Sequence, residues 1–190
     1  ISNEKFLTLD NTKNELGFTT NYRDDPFLID PRNINLGARV IINLEKLYMS
    51  IKKLGLQLEE PEKYYDFSHK LGIAQINTKD LQEKIFGLEC NFEELNGIDF
   101  KKGCYVGQEN TARMKMKNKI RKRLIPIDTK ENIKSGSEIS FKNESIGKVL
   151  IGGQYPFALI RFDNIDKDYM GKDFSCDGLK IKLLKPTWLN

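Results

Sequence analysis

Cys104 has the surroundings most suited to chemistry. It follows Lys101, Lys102 and Gly103, precedes Gly107, and sits just before a helix predicted to begin at Gln108. Glycines let a backbone turn tightly and approach a partner closely. Nearby lysines and a helix N-terminus both favour a thiolate, which lowers a cysteine's pKa and raises its reactivity. Gln108 and Glu109 at the helix start can satisfy free backbone donors or contact a ligand. The same composition also suits Cys104 as a small buried hydrophobe, the common fate of a free cysteine. Local composition does not choose between the two.

Few other residues carry chemistry. The cysteines are Cys90, Cys104 and Cys176, an odd number, so a complete intrachain disulfide framework is impossible and a reducing compartment is expected. Their scatter, with a single histidine, sets aside a structural zinc site and a self-contained iron–sulfur site. A Ser–His–Asp hydrolase would have to use His69, which falls in an ordinary helix and is expected at its surface. Cys90 and Cys176 read as structural.

The net charge of +4 over 190 residues is unevenly spread. Lys101, Lys102, Arg113, Lys115, Lys117, Lys119, Arg121, Lys122 and Arg123 are interrupted by one acid, Glu109, so the remainder of the chain is net acidic. This stripe can be a solvated face, an anion site or a nucleic-acid contact. If residues 115–123 are extended, several of the cations share one solvent face. The aromatic interleaving of a single-strand binder is absent. No apolar run approaches the roughly 18–20 residues of a membrane-spanning helix, and no membrane partner is expected. Abundant Lys, Asn and Ile suggest an AT-rich genome, read here as a bacterial cytoplasmic protein. The chain begins at Ile1 rather than Met, which suggests processing or a fragment.

These residues need elements to position them. Strands are expected at 4–9 and 14–22 about a turn at Asp10–Asn11, at 27–29, and at 38–43. Asn43 is an N-cap for a helix over 44–54, whose Leu44, Leu47, Tyr48, Ile51 and Leu54 share one face, with Gly55 as its stop. Pro61 opens a second helix, with Tyr64, Phe67 and Leu71 on one side and Gly72 as its end. Thr78 caps a short third helix with Leu81 and Ile85 facing inward. Residues 88–106 read as loop, and 108–116 as helix. Short strands at 120–127, 137–142, 145–152, 156–162 and 178–184, with turns between them, predict a small barrel or sandwich. The fold class is α+β: a mixed α/β part over 1–118, then an antiparallel β-barrel over 119–190.

K-G-C-Y-V-G-Q-E, from Lys102 to Glu109, resembles the signature of the YgfZ-type folate-binding proteins. These are relatives of the glycine-cleavage T-protein that act in iron–sulfur cluster assembly and repair. Asp30-Pro31-Arg32 with Gly37 and Arg39 is similar to the family's D-P-R…L-G-x-R segment. Leu71-Gly72-Ile73, Leu88-Glu89 with Asn91, and Leu95-Asn96-Gly97 resemble its L-G-I-P, P-L-E-A-N and L-N-G stretches. Ala112-Arg113 and Lys122-Arg123-Leu124 also fit. Ile146-Gly147-Lys148-Val149 and Ala158-Leu159-Ile160-Arg161 resemble two of its barrel strands. Departures are Ser68 for a frequent arginine, Ala74 and Gly87 for prolines, and Cys90 for alanine. The family's usual N-terminal segment does not precede these motifs, so the chain is expected to be the C-terminal two thirds of a T-protein-like folate-binding fold.

The resemblance implies a folate-dependent factor for iron–sulfur cluster assembly or repair, more an assembly factor than a true enzyme. Its ligand is tetrahydrofolate, or a polyglutamyl or one-carbon derivative. Cys104 is the working thiol, and Glu89, Asn91, Lys102, Tyr105, Gln108, Glu109 and Arg113 are the folate contacts. Glu89 suits a pterin's amino and ring N–H donors, and Tyr105 either stacks on a flat ligand or packs. Implied partners are iron–sulfur client enzymes or assembly factors. An aminomethyltransferase is the first alternative. The T-protein, however, resembles K-x-D-F-I-G-R at this place, where this chain has Cys104 for the aspartate and Gln108 for the arginine. An RNA-binding or tRNA-modification accessory is the second alternative, resting on the basic stripe.

Overall fold

The structure is a computed structural model and describes residues 15–22, 24–103, 106–117, 120–163, 165 and 169–189. The strand expected at 4–9 and the turn at Asp10–Asn11 lie outside these residues. Contacts divide the chain into two units, Ile1–Lys63 and Tyr64–Asn190. The boundary expected from sequence pattern, at 118, falls inside the second unit.

In the first unit, β1 (Thr19–Tyr22), β2 (Asp25–Ile29) and β3 (Ala38–Val40) form an antiparallel sheet in that order. Phe27, Ile29 and Ala38 alternate onto one face and pack with Phe18, Val40 and Leu56. The strand expected to run to 43 stops at Val40, and Asn43 becomes a helix cap whose Oδ1 accepts the Glu45 N–H at 2.8 Å. Helix α1 (Leu44–Leu54) follows, and Gly55 ends it in the left-handed region at φ 59°. The helix has its expected bounds, but its apolar face is not core. Leu44 and Tyr48 are 65% and 62% exposed, and the buried residue of α1 is Ser50.

Helix α2 (Pro61–Lys70) crosses the division between units. Its burial also differs from the expected pattern, with Tyr64 and Phe67 largely exposed and Ser68 buried. Gly72 follows at φ 76°, where a Cβ would lie 2.2 Å from Pro186 Cγ. Beside it, Trp188 Nε1 donates to the Leu71 carbonyl at 2.6 Å. The short helix expected from Thr78 is a 3-10 turn, Thr78–Leu81, with Asn77 before it in the left-handed region. Helix α3 (Gln108–Met116) has the predicted bounds.

A closed antiparallel barrel completes the second unit. Its strands are β4 (Lys122–Asp128), β5 (Glu138–Phe141), β6 (Glu144–Ile151), β7 (Phe157–Arg161), β8 (Phe174–Cys176) and β9 (Leu179–Leu183), in the order β4-β7-β6-β5-β8-β9. β4 closes it by pairing with β7 over Lys122–Pro126 and with β9 over Ile127–Asp128. Pro126, which has no N–H to give, stands where the ladder changes partner. Ile125, Ile127, Ile139, Val149, Ile160 and Ile181 fill the interior. On the outside, Leu124, Leu150, Ile151 and Phe157 pack with Ala74, Leu81 and Ile85, as the inward-facing Leu81 and Ile85 predicted. The three-residue strand β8 is too short to show a pattern in sequence.

Candidate functional site

The segment 86–103 is a chain of turns pinned to the barrel. Leu88 is buried, and Asn91, 1% exposed, holds a left-handed φ of 63°. Asn91 Nδ2 donates to the Leu124 carbonyl at 2.8 Å, and the Leu124 N–H donates to the Glu89 carbonyl at 2.8 Å. Arg123 locks the same turn from the next position of β4. Its Nη1 donates to the Leu88 carbonyl at 2.8 Å, and its Nη2 lies 2.6 Å from Glu94 Oε1. The Leu88 and Glu89 carbonyls of this turn thus accept bonds from one strand.

Two links carry α3 to this turn. Lys115 Nζ donates to both Glu93 carboxylate oxygens, at 2.6 and 2.8 Å, and lies 5.8 Å from the centre of the Phe100 ring. At the start of the signature, Asp99 Oδ1 accepts the Lys101 N–H at 2.8 Å. Lys101, Lys102 and Gly103 are exposed, Val106 wholly so, and Gly107 takes φ 85° immediately before the helix. A positive φ there favours glycine. The described residues of the signature before the helix, Lys102, Gly103, Val106 and Gly107, are thus exposed, and Gln108 and Glu109 belong to the first turn of α3. Cys104 and Tyr105 themselves lie outside the described residues.

The described folate candidates differ in exposure and in the partners they hold. Asn91 is structural in its contacts: its amide serves Leu124, and its Oδ1 is buried without a partner. Glu89 Oε2 accepts the Phe86 N–H at 3.2 Å, and its other oxygen is unengaged among the described residues. Glu109 and Arg113 pair with each other along exposed α3, Oε1 to Nη2 2.5 Å apart. Lys102 is exposed, and Gln108 is half-buried at the helix start. The pKa of the described thiol of Cys90 is pushed up to about 11 by burial and then by the charge of Glu89, so it stays protonated at neutral pH.

The basic stripe is not one bare face. Residues 108–116 are helical and 122–128 are a strand, so the charges do not align as an extended segment would align them. Arg113, Lys115 and Arg123 each hold a carboxylate, and Arg121 lies 3.9 Å from Asp163.

Sequence reasoning placed His69 at a surface, and the structure corrects this. Its ring stands 5.1 Å from that of Phe157 and 5.9 Å from that of Tyr155. Nε2 donates to the Pro156 carbonyl at 3.0 Å, which fixes the proton on that nitrogen. The apolar residues on either side of that proline hid the contact, because nothing in local sequence links positions 69 and 156. Arg32 and Arg39 of the D-P-R…L-G-x-R segment both bind the fully buried Asp30 carboxylate, at 2.7 and 2.6 Å.

Among known protein families, residues 121–190 match the model described as "CAF17, C-terminal beta-barrel domain". Curated relatives include a Dictyostelium discoideum protein named iron-sulfur cluster assembly factor IBA57 homolog, mitochondrial. It is 38% identical over 102 residues, covering 53% of this chain and 25% of the relative. A Pyricularia oryzae protein of the same name is 32% identical over 132 residues, 69% of this chain and 32% of the relative. The Mus musculus protein, iron-sulfur cluster assembly factor IBA57, mitochondrial, is 27% identical over 168 residues, 84% of this chain and 46% of the relative. The chain thus spans between a quarter and about half the length of these relatives. The matches support kinship with the T-protein-like superfamily without singling out its YgfZ type. They also correct the expected location, since the relatives are mitochondrial proteins of eukaryotes. Abundance of Lys, Asn and Ile reflects the base composition of a gene, not a kingdom or compartment.

Proposed function

We propose that this chain is part of a mitochondrial iron–sulfur cluster assembly factor that binds folate and uses Cys104 as its working thiol. The observation that carries this reading is the likeness to proteins named as such factors, extending over 84% of the chain in the mouse relative. The sequence around Cys104 supports it as well: Lys101 and Lys102 precede it and α3 begins four residues after it, and lysines and a helix N-terminus are features that favour a thiolate able to take up iron or sulfur. The cluster is cargo, and the proposed partners are assembly proteins and client enzymes.

Of the residues implied for folate, Glu89 fits best, because one carboxylate oxygen is unengaged among the described residues and suits a pterin's N–H donors. Tetrahydrofolate would supply a reduced pterin that carries one-carbon units. Neither alternative gains support: the relatives bear the name of assembly factors rather than aminomethyltransferases, and much of the basic stripe is neutralised within the chain.

A rescue experiment tests the proposal. Cells lacking the protein receive the full-length gene, as wild type or with Cys104→Ala, and a dehydratase or radical-type iron–sulfur enzyme is assayed in extracts. The expected result is recovery with wild type and background activity with Cys104→Ala at equal protein level. Full recovery with Cys104→Ala removes the thiol from the proposal. No recovery with wild type removes cluster assembly.

A further inference from the structure

Four cations of the second unit surround one groove, and none has a carboxylate partner among the described residues. Lys122 opens β4 directly opposite Arg161, the last residue of β7. Lys148 of β6 and Lys84 complete the rim of a groove of about 470 Å³, with Leu150 and Leu159 also in its lining. A single acid, Glu138, lines it; it stands opposite Lys148 in the β5–β6 ladder, and its carboxylate accepts the Ser145 hydroxyl.

Lys122 and Arg161 are a cross-strand pair of like charge, an arrangement that repels across the roughly 5 Å between facing Cβ atoms. Other cations of this unit, Arg113, Lys115, Arg123 and Lys180, each hold a carboxylate. An uncompensated cationic pair beside apolar side chains, in a groove of small-molecule size, has the make-up of an anion site. Gly147 keeps the neighbouring strands close there: a Cβ would lie 2.4 Å from the Leu159 carbonyl oxygen.

We infer that this groove binds a small polyanion whose phosphate or carboxylate groups bridge Lys122 and Arg161, with Lys84 and Lys148 on its rim. The inference is independent of Cys104 and of folate binding at Glu89. Calorimetric titration of the whole chain at low salt tests it with two probes, tripolyphosphate and γ-linked triglutamate, which distinguish a phosphate source from a carboxylate one. At least one probe is expected to bind. Lys122→Gln and Arg161→Gln each weaken that binding about tenfold or more, as loss of a charge-assisted contact should, while the charge-matched control Lys130→Gln leaves it unchanged. Without ligand, both groove variants melt at or above the wild-type temperature, because each removes repulsion. A measurement on the wild type needs no variant: the probe slows acetylation of Lys122 and Lys148 but not of Lys130. Binding of neither probe, or equal weakening by all three variants, overturns the inference. So does tighter, variant-sensitive binding of a single-stranded RNA than of either probe, which would make the groove a nucleic-acid contact.

Discussion

At the scale of single residues, Asp30 is a fully buried carboxylate held by two arginines, Arg32 and Arg39. Burial raises its carboxyl pKa, but the Arg32 side chain and backbone N–H and the Arg39 side chain outweigh that and hold it below its ordinary value of 3.8. Below about pH 3.8 the unfolded chain binds more protons than the folded one. The carboxylate's stabilisation is therefore present above that pH and lost as pH falls through the lowered folded value. Asp30→Asn leaves two guanidinium groups facing a neutral amide. Removing one partner of a buried pair costs about 3–5 kcal/mol, and the partial exposure of both arginines reduces this to about 2–3 kcal/mol. Faster hydrogen exchange of amides in the β2–β3 ladder at neutral pH is the expected signature. Unchanged exchange would show the cluster to be energetically neutral.

Elements matter most where they take over groups that sequence reasoning assigned to a ligand. The 88–91 turn carries side chains matched to a folate pocket, yet Asn91 serves β4 and Arg123 serves the turn. Asn91→Ala removes the bond to Leu124 and places alanine at φ 63°, so a loss of about 2–3 kcal/mol is expected in urea unfolding followed by Trp188 fluorescence. Asn91→Asp keeps the shape and the preference for left-handed backbone but not the donor, and should lose more than half as much. A near-neutral result for both would return Asn91 to the list of available ligand contacts. The resemblance to P-L-E-A-N pointed to this stretch. It could not show which side chains face the barrel, because the partner strand lies some 33 residues away in sequence.

For the second unit as a whole, stability depends on pH through His69. Burial lowers its pKa from the ordinary 6.5, and the Pro156 carbonyl only partly offsets this by holding a proton on Nε2. Between the lowered folded value and about 6.5, the unfolded chain binds more protons, so stability is complete above that window and declines as pH falls through it. Thermal melts followed by Trp188 should show a lower midpoint at about pH 5.5 than at about pH 7.5. His69→Gln should shrink the difference, and an undiminished difference would assign it to other groups. Trp188 is a suitable reporter because its ring nitrogen bonds Leu71, two residues from His69.

Local signals in the sequence determined a good part of this protein. Asn43 and Gly55 set both ends of α1, Gly107 marks the entry to α3, and the apolar run Leu124-Ile125-Pro126-Ile127 falls in the strand that starts the barrel. These signals are short-range: a cap, a positive φ or an apolar run is written within a few residues of where it acts. Only the tertiary structure decided which apolar faces become core. The α1 face of Leu44 and Tyr48 remains exposed, whereas Leu124 is covered by Leu81 and Ile85. It also decided which charges are neutralised. Glu93 meets Lys115, and Glu94 meets Arg123, only because the 86–103 turns fold back on α3 and β4, while Lys122 and Arg161 are brought face to face by strand register. Pairing between distant segments depends on register and chain path, and those are set by the whole barrel rather than by neighbouring residues.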